Sequence, residues 1–97
     1  MITQDGLNFV FTAIKNGLLK ARALVNGQYR DVELQKVEVG PSSIKIYIYL
    51  SEAIVGQITR YQLLLNDGKV FLERSEHIAK DGTRGLLTLF EIKLQEV

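Results

Sequence analysis

The sequence predicts an α+β fold: an N-terminal helix followed by a mostly antiparallel β-sheet, or a small β-sandwich, of six or seven strands. Three observations carry that prediction. Apolar residues recur at helical spacing only near the start of the chain, two-residue alternation dominates afterwards, and turn-forming Asn-Gly, Gly-Pro and Asn-Asp-Gly segments separate the alternating stretches.

The helix comes first. Thr3 is placed to cap it, and Asp5 sets a negative charge at the positive end of its dipole. Leu7, Val10, Phe11 and Ile14 fall on one stripe, which Phe9 and Ala13 widen towards contacts on two sides. Asn16-Gly17 predicts a left-handed C-cap. A helix this short needs a surface to pack on.

Strands follow. Leu19 to Val25 leads into Asn26-Gly27, the turn pair that tolerates positive φ at both positions, and Gln28 to Leu34 returns. Val37 and Val39 are out of phase with Val32 and Leu34 by one residue, which predicts a bulge near Gln35-Lys36. After the break at Gly40-Pro41-Ser42-Ser43, Ile44, Ile46, Ile48 and Leu50 share one face, and Lys45, Tyr47 and Tyr49 the other. This alternation marks a central strand. Ser51 to Gly56 forms a short turn or one helical turn, and Ile58 to Leu65 pairs through Asn66-Asp67-Gly68 with Lys69 to Glu73. Lys80 to Gly85 is a polar loop. The final strand, Leu86 to about Glu96, places Leu86, Phe90, Ile92 and Leu94 on a common face.

With 97 residues, 46% of them hydrophobic and only one Pro, the chain has the means for one domain, residues 1–97, with a single core and without linkers. It contains no Cys, which removes disulfides, thiolate metal sites and Cys nucleophiles. The single His, His77 in Ser75-Glu76-His77-Ile78, lacks a second imidazole at ligand spacing, and no catalytic site is assigned to it or to the flanking Glu73 and Glu76. Gly82-Thr83-Arg84-Gly85 is too short for a phosphate loop. No cofactor and no metal are therefore expected, and the chain reads as a non-enzyme. No apolar run is long enough to cross a membrane.

What remains is a surface. Tyr47, Tyr49 and Tyr61, with Lys45 and Arg60, are the candidate interface residues, because rigid amphipathic tyrosines are enriched where proteins meet. The same tyrosines could stack the bases of a single-stranded nucleic acid or the rings of an oligosaccharide, the alternative reading. Twelve basic against eleven acidic residues disfavour nucleic acid, since no net field draws in phosphates.

Two stretches resemble bacteriophage tail-fibre and tail-appendage proteins, specifically their N-terminal attachment-type domains. Ile2-Thr3-Gln4-Asp5-Gly6-Leu7 resembles the opening of their first helix. Gly56-Gln57-Ile58, Leu63-Leu64, Asp67-Gly68 and then Lys80 resemble their glycine-led strand and hairpin. The resemblance implies a non-enzymatic virion component, assembled in the host cytoplasm, that forms homo-oligomers and links or orients other tail proteins as a ring or trimer.

Overall fold

The computed structural model describes residues 1–96. It contains one helix, α1 (Gln4–Gly17), and six strands: β1 (Leu18–Val25), β2 (Gln28–Val39), β3 (Ser43–Leu50), β4 (Gly56–Leu65), β5 (Val70–Lys80) and β6 (Leu86–Lys93). The fold is the α+β class expected, and of the two arrangements it is the single sheet. All neighbours in that sheet are antiparallel, in the order β5-β4-β1-β2-β3-β6.

The helix begins as the sequence predicts. The Thr3 hydroxyl accepts from the Gly6 amide at 3.1 Å, and Phe11 is fully buried between half-buried Leu7 and Ile14. Two expectations are corrected. Phe9 is 75% exposed and Ala13 is also exposed, so the buried stripe is narrow and the helix packs on one side. The left-handed cap at Asn16-Gly17 is absent as well: Leu18 turns straight into extended backbone (φ −74°, ψ 132°). A distant residue makes that cap unnecessary. Asn66, in the β4–β5 turn, donates its backbone N–H to the Gly17 carbonyl at 2.9 Å and its side-chain amide to the Asn16 carbonyl at 3.1 Å. Two of the open carbonyls at the helix end are thereby satisfied.

The β1–β2 hairpin turns through Asn26 (φ 50°) and Gly27 (φ 82°), as the Asn-Gly pair predicts. The bulge near Gln35 is present: Leu34 faces Ile48 and Lys36 faces Tyr47, leaving Gln35 over. β2 is consequently one long strand whose apolar phase changes midway. β3 lies between β2 and β6, an interior position as its alternation requires. β5 is much longer than the sequence suggests, because it continues past Glu73 through His77 to Lys80.

The sheet has to curl. β5 and β6 are its two outer strands, yet only residues 81–85 connect them. Six strands laid flat at ~4.8 Å spacing separate their edges by ~24 Å. Six peptide steps reach only ~21 Å at full stretch. Slips in register on both sides of β4 increase the local twist and help bend the strands. As a result Tyr61 of β4 meets Phe90 of β6 edge-to-face at 5.9 Å between ring centres, although β1, β2 and β3 lie between those strands in the sheet.

The product is a half-barrel whose concave side holds the core. Ile44, Ile46, Ile48 and Leu50 of β3 and Ile58, Tyr61 and Leu63 of β4 are all fully buried there, joined by Phe11 from the helix. Ala21 and Ala23 lie beside Leu63 and Tyr61 across the β1–β4 pairing. Small residues next to large ones let the curved wall accommodate a tyrosine.

Among the described residues, the open seam between β5 and β6 carries no shared ladder, and a side chain of β5 bridges it. Arg74 of β5 lies 4.3 Å above the Phe90 ring and 5.7 Å from that of Tyr61, donates to the Leu89 carbonyl at 3.2 Å, and pairs with Glu76 at 3.4 Å. Arg74→Ala is expected to cost about 1 kcal/mol, a cation–ring contribution reduced by its partial exposure. Urea denaturation would read it, and an unchanged midpoint would remove Arg74 as the bridge.

Candidate functional site

The five residues singled out from the sequence do not share one surface. Tyr47, Tyr49 and Lys45 do lie together on the convex face of β3, each half-buried. Arg60 lies on β4, with β1 and β2 between it and those tyrosines. Its guanidinium donates to the Tyr29 hydroxyl at 3.3 Å and approaches Glu73 at 3.9 Å.

Tyr61 is a correction. It is fully buried on the concave side, where the Thr88 hydroxyl donates to it at 3.4 Å and burial pushes its phenol pKa up, with that hydrogen bond opposing the shift. It is a core residue, unavailable for docking or stacking. The cause is a slip in register: Leu24 faces Arg60 but Val25 faces Ile58, so Thr59 is an extra residue in β4. Ile58 and Tyr61, three positions apart, therefore point the same way.

Around Tyr47 and Tyr49 the structure places partners from the edge strand. Leu89 stands opposite Tyr47, Leu87 opposite Tyr49 and Glu91 opposite Lys45. Leu87 is 54% exposed and Leu89 43% exposed. The Tyr47 ring has the Lys36 ammonium at 6.0 Å, and the Tyr49 ring covers Gly85, where a methyl group would overlap its hydroxyl. Four apolar or aromatic side chains thus form one patch on the convex face of β3 and β6. Leu87 and Leu89 were readable: in the final strand they are the odd positions of the alternation that puts Leu86, Phe90 and Ile92 inside. Leu94 does not continue that inner row. It lies past the end of β6 and is 39% exposed.

A second, polar cluster covers the convex face of β1 and β4. The Arg22 guanidinium stacks on Tyr29 at 4.3 Å and donates to the Gln62 side chain at 2.7 Å, and Gln62 in turn donates to Glu73. Tyr29 and Arg22 were missed in the sequence because their contacts join strands far apart in the chain. Arg22 has its hydrogen bond with Gln62, and the Tyr29 hydroxyl accepts from Arg60.

His77 is exposed on β5, at a slip in the β4–β5 register, in the part of that strand beyond the Lys69 to Glu73 stretch the sequence marks. Glu73 and Glu76, which flank it, are held by different partners, Gln62 and Arg74. Among the described residues, no three His, Cys, Asp or Glu side chains gather where they could hold a metal ion. Nor is any described helix long and apolar enough to cross a membrane.

The far end of the half-barrel from the helix is closed by a buried lysine. Lys80 donates to the carbonyls of Ile54 (2.7 Å), Ser51 (2.8 Å), Asp81 (3.1 Å) and Arg84 (3.2 Å). Two of these carbonyls belong to the β3–β4 connection and two to the β5–β6 connection, so one ammonium fastens both loops. Asp81 tightens its own loop by accepting from the Thr83 amide and hydroxyl, which lowers its pKa.

The fully engaged groups are thus structural, and among the described residues the apolar patch of Tyr47, Tyr49, Leu87 and Leu89 is a feature left without a partner. Compared with protein-family models, curated proteins and solved structures, the chain matches none.

Proposed function

We propose that this chain is a non-enzymatic structural and assembly module acting through protein–protein contacts, with the convex β3–β6 patch as its docking surface. The observation that carries the reading is the exposure of Leu87 and Leu89 beside Tyr47 and Tyr49, on a sheet whose other face already holds the core. Contiguous apolar surface outside a filled core marks sites of association. Aromatic side chains add contact area there at low entropic cost. The resemblance of Ile2–Leu7 and of the Gly56–Gly68 segment to phage tail proteins supplies the setting we propose, a tail, baseplate or fibre-associated component of a virion that self-associates.

Sedimentation velocity over micromolar to hundred-micromolar concentrations tests the reading. The chain is expected to self-associate, and the double substitution Leu87→Ser with Leu89→Ser to weaken association at least tenfold while leaving the circular dichroism spectrum unchanged. A wild-type chain that stays monomeric across that range, with the double variant indistinguishable from it, overturns the proposal.

A further inference from the structure

The outer strand β6 carries, in addition to the patch, a charge pattern that fits a second copy of itself. We infer that two copies of this chain pair β6 against β6, antiparallel, about a two-fold axis at Ile92. This rests on the self-association proposed above and adds the β6 edge, beside the patch, as a contact between the two copies.

The edge has main-chain groups to offer. The Leu89 carbonyl accepts from Arg74 across the seam and so points away from β3. In an antiparallel ladder the N–H and C=O of one residue point to the same side, and the sides alternate along the strand. Leu89, Glu91 and Lys93 therefore present their backbone groups to the free edge. Arg74 engages only the first of these three.

The side chains select the register. The Glu91 carboxylate accepts from the Ser43 hydroxyl at 3.0 Å, but among the described residues neither Glu91 nor Lys93 has an oppositely charged group within salt-bridge distance. Both lie on the convex side, two positions apart. With the axis at Ile92, Glu91 of each copy faces Lys93 of the other, giving two reciprocal ion pairs at hydrogen-bonded positions. The half-buried Ile92 meets its own copy. Neighbouring registers lack this match. An axis at Glu91 sets Glu against Glu, an axis at Lys93 sets Lys against Lys, and an axis at Phe90 sets Leu89 against Glu91. Like charges directly opposite destabilise a strand pair and opposite charges stabilise it. Pairing identical strands also yields the closed two-fold symmetry commonest among oligomers.

The test is charge reversal with rescue, read by sedimentation equilibrium of the whole chain. Glu91→Lys alone and Lys93→Glu alone each create two like-charge oppositions and are expected to raise the dimer dissociation constant at least tenfold. The double swap Glu91→Lys with Lys93→Glu is expected to return it to within threefold of wild type. Because the chain has no Cys, Ile92→Cys gives a second, independent readout. The two sulfurs would face each other at a non-hydrogen-bonded pair, whose Cα separation of ~4.5 Å suits a disulfide. Mild oxidation should then link most of the protein as dimer, and Lys36→Cys should not link. Association that persists unchanged through both single reversals overturns the β6 register and leaves the assembly reading standing. A chain that never associates overturns both.

Discussion

Lys80→Met is expected to destabilise the fold by about 3 kcal/mol, since each hydrogen bond to a charged group contributes about 1.5–3 kcal/mol and a buried carbonyl left without a donor costs about 1–3 kcal/mol. Methionine fills the space of the lysine stem but offers no donor. Four carbonyls, those of Ser51, Ile54, Asp81 and Arg84, lose their shared partner at once. The Ile54 bond is buried and the others are partly buried, so water can replace some of the loss, which keeps the figure below the sum of four separate penalties. For a domain of this size the corresponding fall in Tm is roughly 12–24 °C. Lys80→Arg is expected to rescue little, because a planar guanidinium cannot direct its donors into a compact cage as an ammonium does. Chemical denaturation decides it: a loss under 1 kcal/mol for the methionine variant would show that the two connections hold without the ammonium.

Gly56→Ala is the second large effect, again about 3 kcal/mol. Gly56 has φ of 139°, a conformation that L-residues adopt only at a cost of about 1–3 kcal/mol. A methyl group there would also overlap the Asn26 carboxamide. That carboxamide is already occupied, accepting from the Gln57 amide at 2.9 Å while the Asn26 backbone donates to the Gln57 carbonyl at 3.0 Å. The substitution therefore strains β4 and dislodges the tip of the β1–β2 hairpin together. The two contributions separate in a double-mutant cycle. Asn26→Gly keeps the positive φ of the turn and removes the obstructing side chain, so Gly56→Ala should cost at least 1 kcal/mol less in that background. Additive effects would refute the steric coupling.

Much of the fold was legible because its signals are local. Thr3, the Asn26-Gly27 pair, the phase change at Gln35 and the alternation from Ile44 to Leu50 each act within a few residues, and each appears in the structure as predicted. The failures involve partners far away in the chain. Asn66 caps the helix fifty residues downstream, so the Asn16-Gly17 signal went unused. The phase of β4 was hidden because Leu63-Leu64-Leu65 is apolar on both faces, which left no alternation to expose the extra residue at Thr59. Tyr61 was accordingly grouped with Tyr47 and Tyr49 when its place is in the core. The patch itself was half visible: the tyrosines were found, but Leu87 and Leu89 join them only once β6 is known to pair with β3. The strand order depends on two crossings, β3 to β4 and β5 to β6, that no residue pattern marks.

The two outer strands are joined covalently at one end only, with the Arg74 side chain as a tie between them farther along. At that end the short 81–85 connection and the caged ammonium hold them together, whereas at the opposite end, near Val70 and Lys93, nothing covalent joins them. The wall of the half-barrel thus behaves as a cuff fastened at one end. At the unfastened end β6 is held by its neighbour β3, through Lys93 opposite Ser43, and the segment beyond it by Glu96, which pairs with the Met1 ammonium.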